Sequence, residues 1–485
     1  MSASIRSDMH LNKSQYLTGK FCPKRLYLDV HGPPETLDAA TQLRLDEGRQ
    51  VGEWAREGLG GVLVEERGHE EAVKRTRRLM ADPGVSAIFE GAFEHGGLRV
   101  RADILVRQGE GWNLVEVKSS TSVKKEHLED VALTRHVVAS SGWPVAACTL
   151  RLVNRDFRLG MSIEAFFADH DVTREAVFDP EEADATVHAL LDALRGPEPP
   201  QVPTGLHCRS CPHYDVCIPD RHVLSLPRLS EKRLSELRAR NLSRIAEIPD
   251  RFSLTATQRR VRDAVRTGAV QVESGLDEVL NRVTYPLFFL DFESVATGYP
   301  LYPDVAPHEQ VPTQYSLHIL PVSGGLVAHR DFLHEDGADP RRRLAERLLE
   351  DLGDSGSIVV YSNFEQARIS GLASLFPDLA PALENLKGRL YDLCKVLQGY
   401  VYHPAFGGSF SIKRTLPALT PGLDYADLAI SDGEAASAAY REMIAPGTSP
   451  GRRREIGRDL RAYCARDSLA MVRLYEALCQ MACRG

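Results

Sequence analysis

The sequence predicts an α/β protein, because short strand-like runs with alternating apolar residues lie between longer runs with helical spacing of apolar residues. This alternation occurs twice, once before residue 196 and again from residue 285. A chain of 485 residues, 43% of them hydrophobic, is long enough to bury more than one core. We therefore expect two or three domains.

The first α/β segment is predicted to cover residues 1–222. Its expected helices are 11–30, 40–59, 127–142 and 185–196, and its expected strands are 88–94, 98–106, 113–120 and 145–153. A proline-rich stretch at 197–205 then leads into three closely spaced cysteines. We interpret that stretch as a connection rather than a core element.

Two further segments complete the predicted organisation. Residues 223–283 contain short helical patterns at 226–249 and 257–268. Their spacing resembles a helix-hairpin-helix DNA-binding element, and a plain helical connector is the alternative. Residues 284–485 form the second α/β segment. Its expected elements are strands at 285–294 and 357–363, a helix at 365–376, the segment 390–397 and a last helix at 458–480.

The composition narrows the classes of function. A formal net charge of −8 argues against a surface that is basic throughout, as indiscriminate nucleic-acid binding would require. Local basic clusters, such as those at 341–343 and 452–454, are compatible with that charge. No apolar run approaches the length of a membrane-spanning helix, and the first residues lack the apolar core of a signal peptide. We therefore expect a cytoplasmic protein without a membrane partner.

A charged pair interrupts the otherwise apolar strand predicted at 113–120. Glu116 and Lys118 are two residues apart, so a strand turns both side chains to one face. The short turn before this strand brings Asp103, in the preceding strand, towards the pair. Two converging carboxylates suit Mg²⁺ or Mn²⁺, and a neighbouring lysine positions water and stabilises charge on phosphate. An edge strand with its charges in water is the alternative.

Four of the nine cysteines form a candidate metal or cluster site. Cys208, Cys211 and Cys217 lie within ten residues of one another, and Cys22 lies alone near the start. In a long cytosolic chain this usage favours metal or cluster binding over disulfide bonds. Four thiolates suit either a 4Fe-4S cluster or zinc, and the spacing does not distinguish the two.

A second set of acids lies in the C-terminal α/β segment. Asp291 and Glu293 are two apart on a predicted strand, so both carboxylates point to one face, where a cation would relieve their repulsion. Glu365 follows the next strong strand. Tyr463 and Asp467 are four apart on the last helix and share one helical face. These five residues are the candidates for a second metal-dependent site.

The order of an aspartate followed by E-x-K resembles the RecB-type branch of the PD-(D/E)xK nucleases. The stretch FCPKRLYLD near the N-terminus and the C-x2-C-x5-C spacing resemble the four-cysteine iron-sulfur clasp of RecB-like and CRISPR-associated nucleases. This resemblance implies a restriction-endonuclease-like domain with Asp103, Glu116 and Lys118 as catalytic residues. It also implies a 4Fe-4S cluster rather than zinc on the four cysteines.

Two positions depart from the RecB-like pattern. Gly52 stands where a histidine is expected in an early helix, and Thr134 lies near the position of an expected glutamine. The candidates for an additional acid are Glu47, Glu53 and Glu90. A domain that binds DNA without cutting it is therefore an alternative for this part of the chain.

The order of D-x-E, a later acid and Y-x3-D resembles the tyrosine-bearing DEDD exonucleases, which have an RNase H-like fold. The resemblance implies that two metal ions are held by Asp291, Glu293, Glu365 and Asp467. It also implies that Tyr463 orients the water and that strands are trimmed from an end, in the 3′ to 5′ direction. Glu365 stands where those enzymes usually carry aspartate, and Asp392 is a reserve candidate. The C-terminal portion also resembles an uncharacterised bacterial domain family that is commonly joined to RecB-like nuclease domains.

Together these patterns predict a metal-dependent nuclease with two sites, one in each α/β segment. DNA is the favoured substrate over RNA, and helicase or repair proteins are the expected partners. The alternative from another class is a non-catalytic nucleic-acid-binding scaffold, with the cluster as a structural or redox element. Degradation of labelled DNA or RNA with Mg²⁺ or Mn²⁺ separates the two hypotheses.

Overall fold

A computed structural model describes residues 9–33 and 38–483, and its chain forms two compact units. Unit 1 comprises the residues up to 203 together with Thr297–Glu309, and unit 2 comprises Thr204–Ala296 with the residues from Gln310 onwards. Both units combine helices with a β-sheet, so the predicted α/β class is confirmed at that level. The predicted connector belongs to unit 2, and the segment Thr297–Glu309 belongs to unit 1, a grouping for which the sequence gives no local signal.

Unit 1 contains one sheet with helices packed against it. Its strands are β1 (Leu11–Asn12), β2 (Val62–Leu63), β3 (Ala87–His95), β4 (Leu98–Gln108), β5 (Gly111–Lys118), β6 (Val145–Val153) and β7 (Phe167–Asp171). Its helices are α1 (Lys13–Phe21), α2 (Pro23–His31), α3 (Ala39–Trp54), α4 (His69–Ala81), α5 (Lys125–Ser140) and α6 (Pro180–Arg195). The strand order is β2-β3-β4-β5-β6-β7, and β1 pairs with β4. Strands β3, β4 and β5 are antiparallel neighbours, whereas β6 is parallel to β5.

The alternation of β5 places its charged residues beside α5. Trp112 and Leu114 pack into the large core of unit 1, which includes apolar residues of α5. Val115 points to the opposite face and packs with β3 and β4. Because side chains alternate along a strand, Glu116 follows Trp112 and Leu114 on the α5 face.

Unit 2 contains a five-stranded sheet and a separate pair of short strands. The strands of unit 2 are β8 (Gln271–Val272), β9 (Leu287–Val295), β10 (Val311–Leu320), β11 (Ala328–Leu333), β12 (Ser357–Val360), β13 (Leu390–Asp392) and β14 (Val401–Tyr402). Its first helices are α7 (Tyr214–Cys217), α8 (Glu231–Ala239), α9 (Ala256–Thr267), α10 (Leu276–Leu280), α11 (Arg341–Leu352) and α12 (Phe364–Leu375). The remaining helices are α13 (Ala380–Gly388), α14 (Leu393–Tyr400), α15 (Ile412–Leu419), α16 (Gly433–Ile444) and α17 (Pro450–Ala482).

The sheet of unit 2 has the order β11-β10-β9-β12-β13, and β8 pairs separately with β14. Strands β9, β10 and β11 are antiparallel neighbours, β12 is parallel to β9, and β13 is parallel to β12. Along β9, Phe288 and Leu290 pack into a core formed with α11, α12 and α13. Phe289 faces the core that contains α17. Asp291 and Glu293 continue the Phe289 face, and this alternation directs both acids towards α17.

The long helix α17 closes that face of the sheet. Ser449 caps its N-terminus by accepting a hydrogen bond from Arg452 N, and Pro450 occupies its first turn. Its apolar residues, among them Met471 and Leu474, are buried in the same core as α8 and α9 of the predicted connector. In the part of the chain that the structure describes, no helix is both long and apolar enough to cross a membrane.

Candidate active sites

The β4–β5 hairpin brings together the acids predicted for the first site. Ile104 pairs with Val115 in the antiparallel register, so Asp103 and Glu116 are the next pair along the two strands. Asp103 Oδ2 accepts a hydrogen bond of 2.8 Å from Val117 N. Glu116 is 1% exposed, which makes it one of the most deeply buried charged residues of the chain.

Two lysines and a third acid surround Glu116. Lys118 Nζ lies 2.9 Å from Glu116 Oε1, as the E-x-K spacing predicts. Lys13 Nζ, from the first residue of α1, lies 2.7 Å from the same oxygen and 2.8 Å from Asp130 Oδ1. Lys118 also donates a hydrogen bond to Asp130 Oδ2. The sequence did not predict Lys13 or Asp130, because neither a hairpin turn nor a backbone period links these residues to Glu116.

The two predicted acids of unit 1 have opposite pKa shifts. Burial and the neighbouring charge of Glu116 raise the pKa of Asp103 to about 7. Burial acts to raise the pKa of Glu116 as well, but the ammonium groups of Lys13 and Lys118 overcome it and lower that pKa to about 2. Glu116 is therefore a carboxylate at neutral pH, and its Oε2 is a buried oxygen without a hydrogen-bond partner among the described residues. A buried, unpaired carboxylate oxygen beside a second acid fits the oxygen ligands that Mg²⁺ and Mn²⁺ prefer.

A cleft of about 640 Å³ opens beside these residues. Its lining includes Lys13, Arg49, Arg56, Glu53, Glu90, Asp103, Glu116 and Lys118. Both signs of charge are thus present in the lining of the cleft. Arg56 and Glu90 form an ion pair of 2.6 Å across the cleft wall.

The positions that depart from the RecB-like pattern can now be placed. Gly52 lines the cleft, as do Glu53 and Glu90, two of the three candidates for an additional acid. Thr134 is buried in α5 and donates a hydrogen bond to the carbonyl of Asp130. Asp130, one helical turn before Thr134, is the α5 residue that reaches Lys118.

In unit 2, β9 and α17 bring another group of potential ligands together. One ligand atom from each of Asp291, Glu293 and Cys464 lies within 4.8 Å of the others, and no other group of three such residues meets this spacing within 9–33 and 38–483. Cys464 was not predicted. Its thiol donates to Asp291 Oδ2 at 3.4 Å, so it orients a carboxylate rather than offering the hard oxygen ligand that Mg²⁺ prefers.

Asp467 of α17 lies beside this group with two tyrosines and a lysine. Tyr425 donates a hydrogen bond from its hydroxyl to Asp467 Oδ1, and Tyr463 also hydrogen-bonds Asp467. Lys413 Nζ, from α15, lies 5.5 Å from the ring centroid of Tyr425 and 5.4 Å from that of Tyr463. The sequence predicted Tyr463 and Asp467 from their helical spacing, whereas Lys413 and Tyr425 lie on other elements and had no spacing signal.

The acids of unit 2 raise one another's pKa. Burial, followed by the charges of Asp467 and Glu293, raises the pKa of Asp291 well above its usual value. Burial and Asp467 raise the pKa of Glu293 to about 8, although Lys413 opposes the shift. Burial also raises the pKa of Asp467 against the hydrogen bonds that it accepts. The site therefore favours protons or cations, and its carboxylate oxygens fit divalent metal ions.

Glu365 and Asp392 have different places near this site. Glu365, in the first turn of α12, is 3% exposed, and Ser362 Oγ lies 3.4 Å from its Oε2. Burial raises the pKa of Glu365 to about 7, and its charge contributes to the raised pKa values of Asp291 and Glu293. Asp392 caps α14 by accepting a 3.0 Å hydrogen bond from Lys395 N, which gives it a structural role.

Of the four predicted cluster ligands, Cys22 belongs to unit 1, whereas Cys208, Cys211 and Cys217 belong to unit 2. Cys22 Sγ, at the N-terminus of α2, accepts a hydrogen bond of 3.4 Å from Arg25 N, and Cys208 Sγ accepts one of 3.3 Å from Gly205 N. The described cysteines form no disulfide bond. The thiols of Cys208, Cys211 and Cys217 do not form a group at the 4.8 Å spacing seen for Asp291, Glu293 and Cys464.

One protein-family model matches part of unit 2. Residues 288–411 match a family described as a domain of unknown function, DUF2779, and this stretch includes Asp291, Glu293 and Glu365. No curated protein matches the sequence. A solved crystal structure of a protein called SSO0001 is similar at 14% identity over 44% of this chain and 89% of its own, with a TM-score of 0.25. A TM-score that low supports no inference about fold or function.

Proposed function

We propose that the protein is a metal-dependent nuclease with one phosphodiester-hydrolysing site in each compact unit. The observation that carries the proposal is that the half-buried Asp291 and Glu293 place ligand atoms within 4.8 Å of each other, beside the buried Asp467, and that all three pKa values are raised. Buried like charges are costly unless protons or cations accompany them, and clustered carboxylates with divalent ions are a common solution for phosphodiester hydrolysis.

The topology of each unit supports the finer assignment. In unit 2, three antiparallel strands are extended by two strands parallel to β9, and the acids lie on the central strand β9. That is the arrangement expected of an RNase H-like domain. In unit 1, the antiparallel strands β3, β4 and β5 are followed by α5 and a strand parallel to β5, with acids on two adjacent strands. That order is expected of a restriction-endonuclease-like domain.

The residues of the unit 2 site have distinct proposed roles. Asp291, Glu293 and Asp467 hold the metal ions, which when bound supply an activated water and neutralise charge on the phosphate. The hydroxyls of Tyr463 and Tyr425 orient Asp467, and we propose that Tyr463 also orients the attacking water.

In unit 1 the metal ligands are Asp103 and Glu116, and Lys118 provides a cation for the developing charge on phosphate. Its ammonium group is anchored by Glu116 Oε1, so it is held beside the ligands before any substrate binds. We propose DNA as the principal substrate. A helicase or repair partner and a cytoplasmic location stay predictions.

The test uses purified full-length protein with end-labelled single-stranded DNA, double-stranded DNA and RNA, in Mg²⁺, Mn²⁺ or EDTA. We expect metal-dependent products that Asp291→Asn and Lys118→Met each reduce in part and that the double variant abolishes. Matched controls are Glu278→Gln and Lys125→Met, which alter an exposed acid of α10 and an exposed lysine of α5. Cleavage that persists in the double variant, or no cleavage of any substrate by the parent, would contradict the proposal.

A second candidate applies to unit 1 alone, which in this hypothesis binds nucleic acid without cutting it. The observation in its favour is the pairing of Glu116 and Asp130 with two lysines, because a site whose acids are already paired has less need of a metal ion. Binding of DNA in EDTA that Lys118→Met weakens, together with no cleavage attributable to unit 1, would favour this candidate.

We also propose that Cys22, Cys208, Cys211 and Cys217 bind a 4Fe-4S cluster, with zinc as the alternative. The support is the supply of four thiols and the N–H groups directed at two of them. Protein purified without oxygen should contain about four irons and four sulfides per chain by the cluster's own stoichiometry, and Cys211→Ser should lower both. Stoichiometric zinc without iron would replace the cluster by the alternative.

A further inference from the structure

A second lysine lies at the unit 1 site. Lys13 is the first residue of α1, whose N-terminus is capped by Asn12. Its Nζ lies between two carboxylates, 2.7 Å from Glu116 Oε1 and 2.8 Å from Asp130 Oδ1. The side chain is 20% exposed and lines the cleft. Lys13 thus occupies the flank of Glu116 that faces α1 and α5.

Lys13 completes a closed ring of four charged groups. Lys118 contacts the same two carboxylates, at Glu116 Oε1 and Asp130 Oδ2, so each ammonium group bridges both acids. We call this arrangement the charge ring, and its members are Lys13, Glu116, Lys118 and Asp130. Two positive and two negative charges balance within it.

The charge ring leaves one defined place for another cation. Both ammonium groups contact Glu116 Oε1, whereas Oε2 of this fully buried side chain has no hydrogen-bond partner among the described residues. Asp103, the neighbour of Glu116 across the hairpin, lies outside the ring and has its Oδ2 held by Val117 N. A divalent ion on the ring side would meet two ammonium groups at contact distance, where like charges repel strongly.

We propose that Lys13 is a positioning residue of the unit 1 site, and that with Asp130 it fixes Lys118 and Glu116 Oε1 so that Glu116 Oε2 and Asp103 take a single divalent ion. The inference rests on the proposed nuclease function of unit 1 and specifies how its site is assembled. The two candidate sites differ in this respect, because among the described residues the acids of unit 2 are not bridged by two lysines.

The proposal predicts opposite changes in two quantities when Lys13 is replaced by methionine, which keeps an unbranched stem but removes the charge. Loss of a positive charge next to Glu116 makes the site more negative, so Mn²⁺ should bind about 10-fold more tightly. Loss of the contact that positions Glu116 and Lys118 should lower cleavage by about 10-fold or more. A lysine with a purely structural role would weaken both metal binding and cleavage.

The experiment uses full-length protein in an Asp291→Asn, Asp467→Asn background, which removes the unit 2 cluster. Mn²⁺ binding is followed by the electron paramagnetic resonance signal of free Mn²⁺, and cleavage by labelled DNA. We expect one bound Mn²⁺ that Glu116→Gln removes and that Lys13→Met tightens. Lys20→Met, an exposed position of α1, is the control, and Lys13→Arg should restore cleavage at least in part. Lys13→Gln replaces Lys13→Met if the latter does not fold.

Weaker or unchanged Mn²⁺ binding in the Lys13 variant would overturn the inference, as would two Mn²⁺ ions lost on Glu116→Gln. If the parent binds one Mn²⁺ with the predicted dependence on Lys13 but cuts no substrate, the nuclease proposal for unit 1 fails while the assembly of the metal site stands. The two failures are therefore distinguishable.

Discussion

The carboxylates of the two candidate sites have opposite electrostatic surroundings. In unit 1, Glu116 and Asp130 are each paired with two lysines, and the pKa of Glu116 falls to about 2. In unit 2, Asp291 and Glu293 lie beside Asp467, and both pKa values rise. The acids of the first site are paired with lysines, whereas burial and the mutual repulsion of the acids raise the pKa of Asp291 and Glu293 in the second. Two acid-rich sites in one chain thus need not respond alike to metal or pH.

The largest expected effect is on activity. Asp291→Asn removes one of the converging carboxylates, so trimming from a strand end should fall by about 10³-fold or more, as expected when a metal ligand is lost. The measurement is release of end label in a Lys118→Met background, which removes the cleavage proposed for unit 1. Trimming that survives Asp291→Asn in this background would remove the metal-site assignment of unit 2.

The comparison is sharpened by the reverse combination. Lys118→Met in an Asp291→Asn background should lower internal cleavage of DNA by about 10²-fold, because the ammonium group no longer stabilises charge on phosphate. Lys125→Met in the same background should have no effect. Equal activity of the Lys118 and Lys125 variants would support unit 1 as a binding domain.

Another prediction concerns how the stability of unit 2 depends on pH when no divalent ion is present. The pKa of Glu293 is raised from 4.5 to about 8, so the folded state holds this proton more tightly than the unfolded state. Stability from this group is present below pH 4.5 and is lost as the pH rises towards 8. The pKa of Asp291 is raised as well, which adds to the loss. In EDTA, we expect the Tm of unit 2 to fall by roughly 5 °C or more between pH 6 and 8.5.

Unit 1 provides the contrast for this measurement. The lowered pKa of Glu116 gives stability that is present above pH 4.5 and is lost as the pH falls towards 2. The raised pKa of Asp103 gives stability that is lost as the pH rises from 3.8 to about 7. The change from Asp103 is mostly complete near pH 7, so between pH 7 and 8 the stability of unit 1 should change little while the loss from Glu293 continues. Mn²⁺ and the Asp291→Asn, Glu293→Gln variant should each reduce the loss in unit 2, where Asp467 and Glu365 also have raised pKa values. A loss that both leave unchanged would have another origin.

The sequence predicted the residues of each site that lie on one local element. Alternation along a strand paired Glu116 with Lys118 and Asp291 with Glu293, and helical spacing paired Tyr463 with Asp467. These predictions rest on the period of the backbone, which the sequence reveals directly. Most predicted helices and strands of both units are also present in the structure, but the helical stretch predicted at 11–30 is divided into β1, α1 and α2, and α17 begins at Pro450 rather than at residue 458.

The residues that the sequence did not identify come from packing between distant elements. Lys13 is 103 positions from Glu116, and Lys413 comes from α15, which has no regular spacing to β9. The membership of Thr297–Glu309 in unit 1 also depends on distant packing. Tyr299 follows β9 in the chain but packs against Trp54 and Phe166 of unit 1. Such contacts depend on tertiary structure, and no local pattern encodes them.

A further prediction distinguishes the roles of Tyr463 and Tyr425 in unit 2. Tyr463→Phe should slow trimming by about 10²-fold if its hydroxyl orients water as well as Asp467. Tyr425→Phe removes a hydrogen bond to Asp467 alone, so we expect a loss of less than about 10-fold. The measurement is the single-turnover rate in saturating Mn²⁺, which separates the chemical step from metal binding. Equal losses would limit both hydroxyls to orienting Asp467.

The smallest expected effect tests how far the excess of acid in unit 2 extends. Glu365 contributes charge to Asp291 and Glu293, but less than Asp467 does, and like Asp467 it lies outside the group that Asp291 and Glu293 form with Cys464 within 4.8 Å. Glu365→Asp keeps the charge and withdraws it by about one methylene, so the rate of trimming should change by less than about fivefold. Glu365→Gln removes the charge and should lower the rate of trimming by about tenfold. Both variants keep the position buried in the first turn of α12, which makes them a matched pair. A loss on Glu365→Asp as large as that of Asp291→Asn would instead make Glu365 a direct metal ligand, because an ångström of displacement is tolerated by an outer charge and not by a ligand.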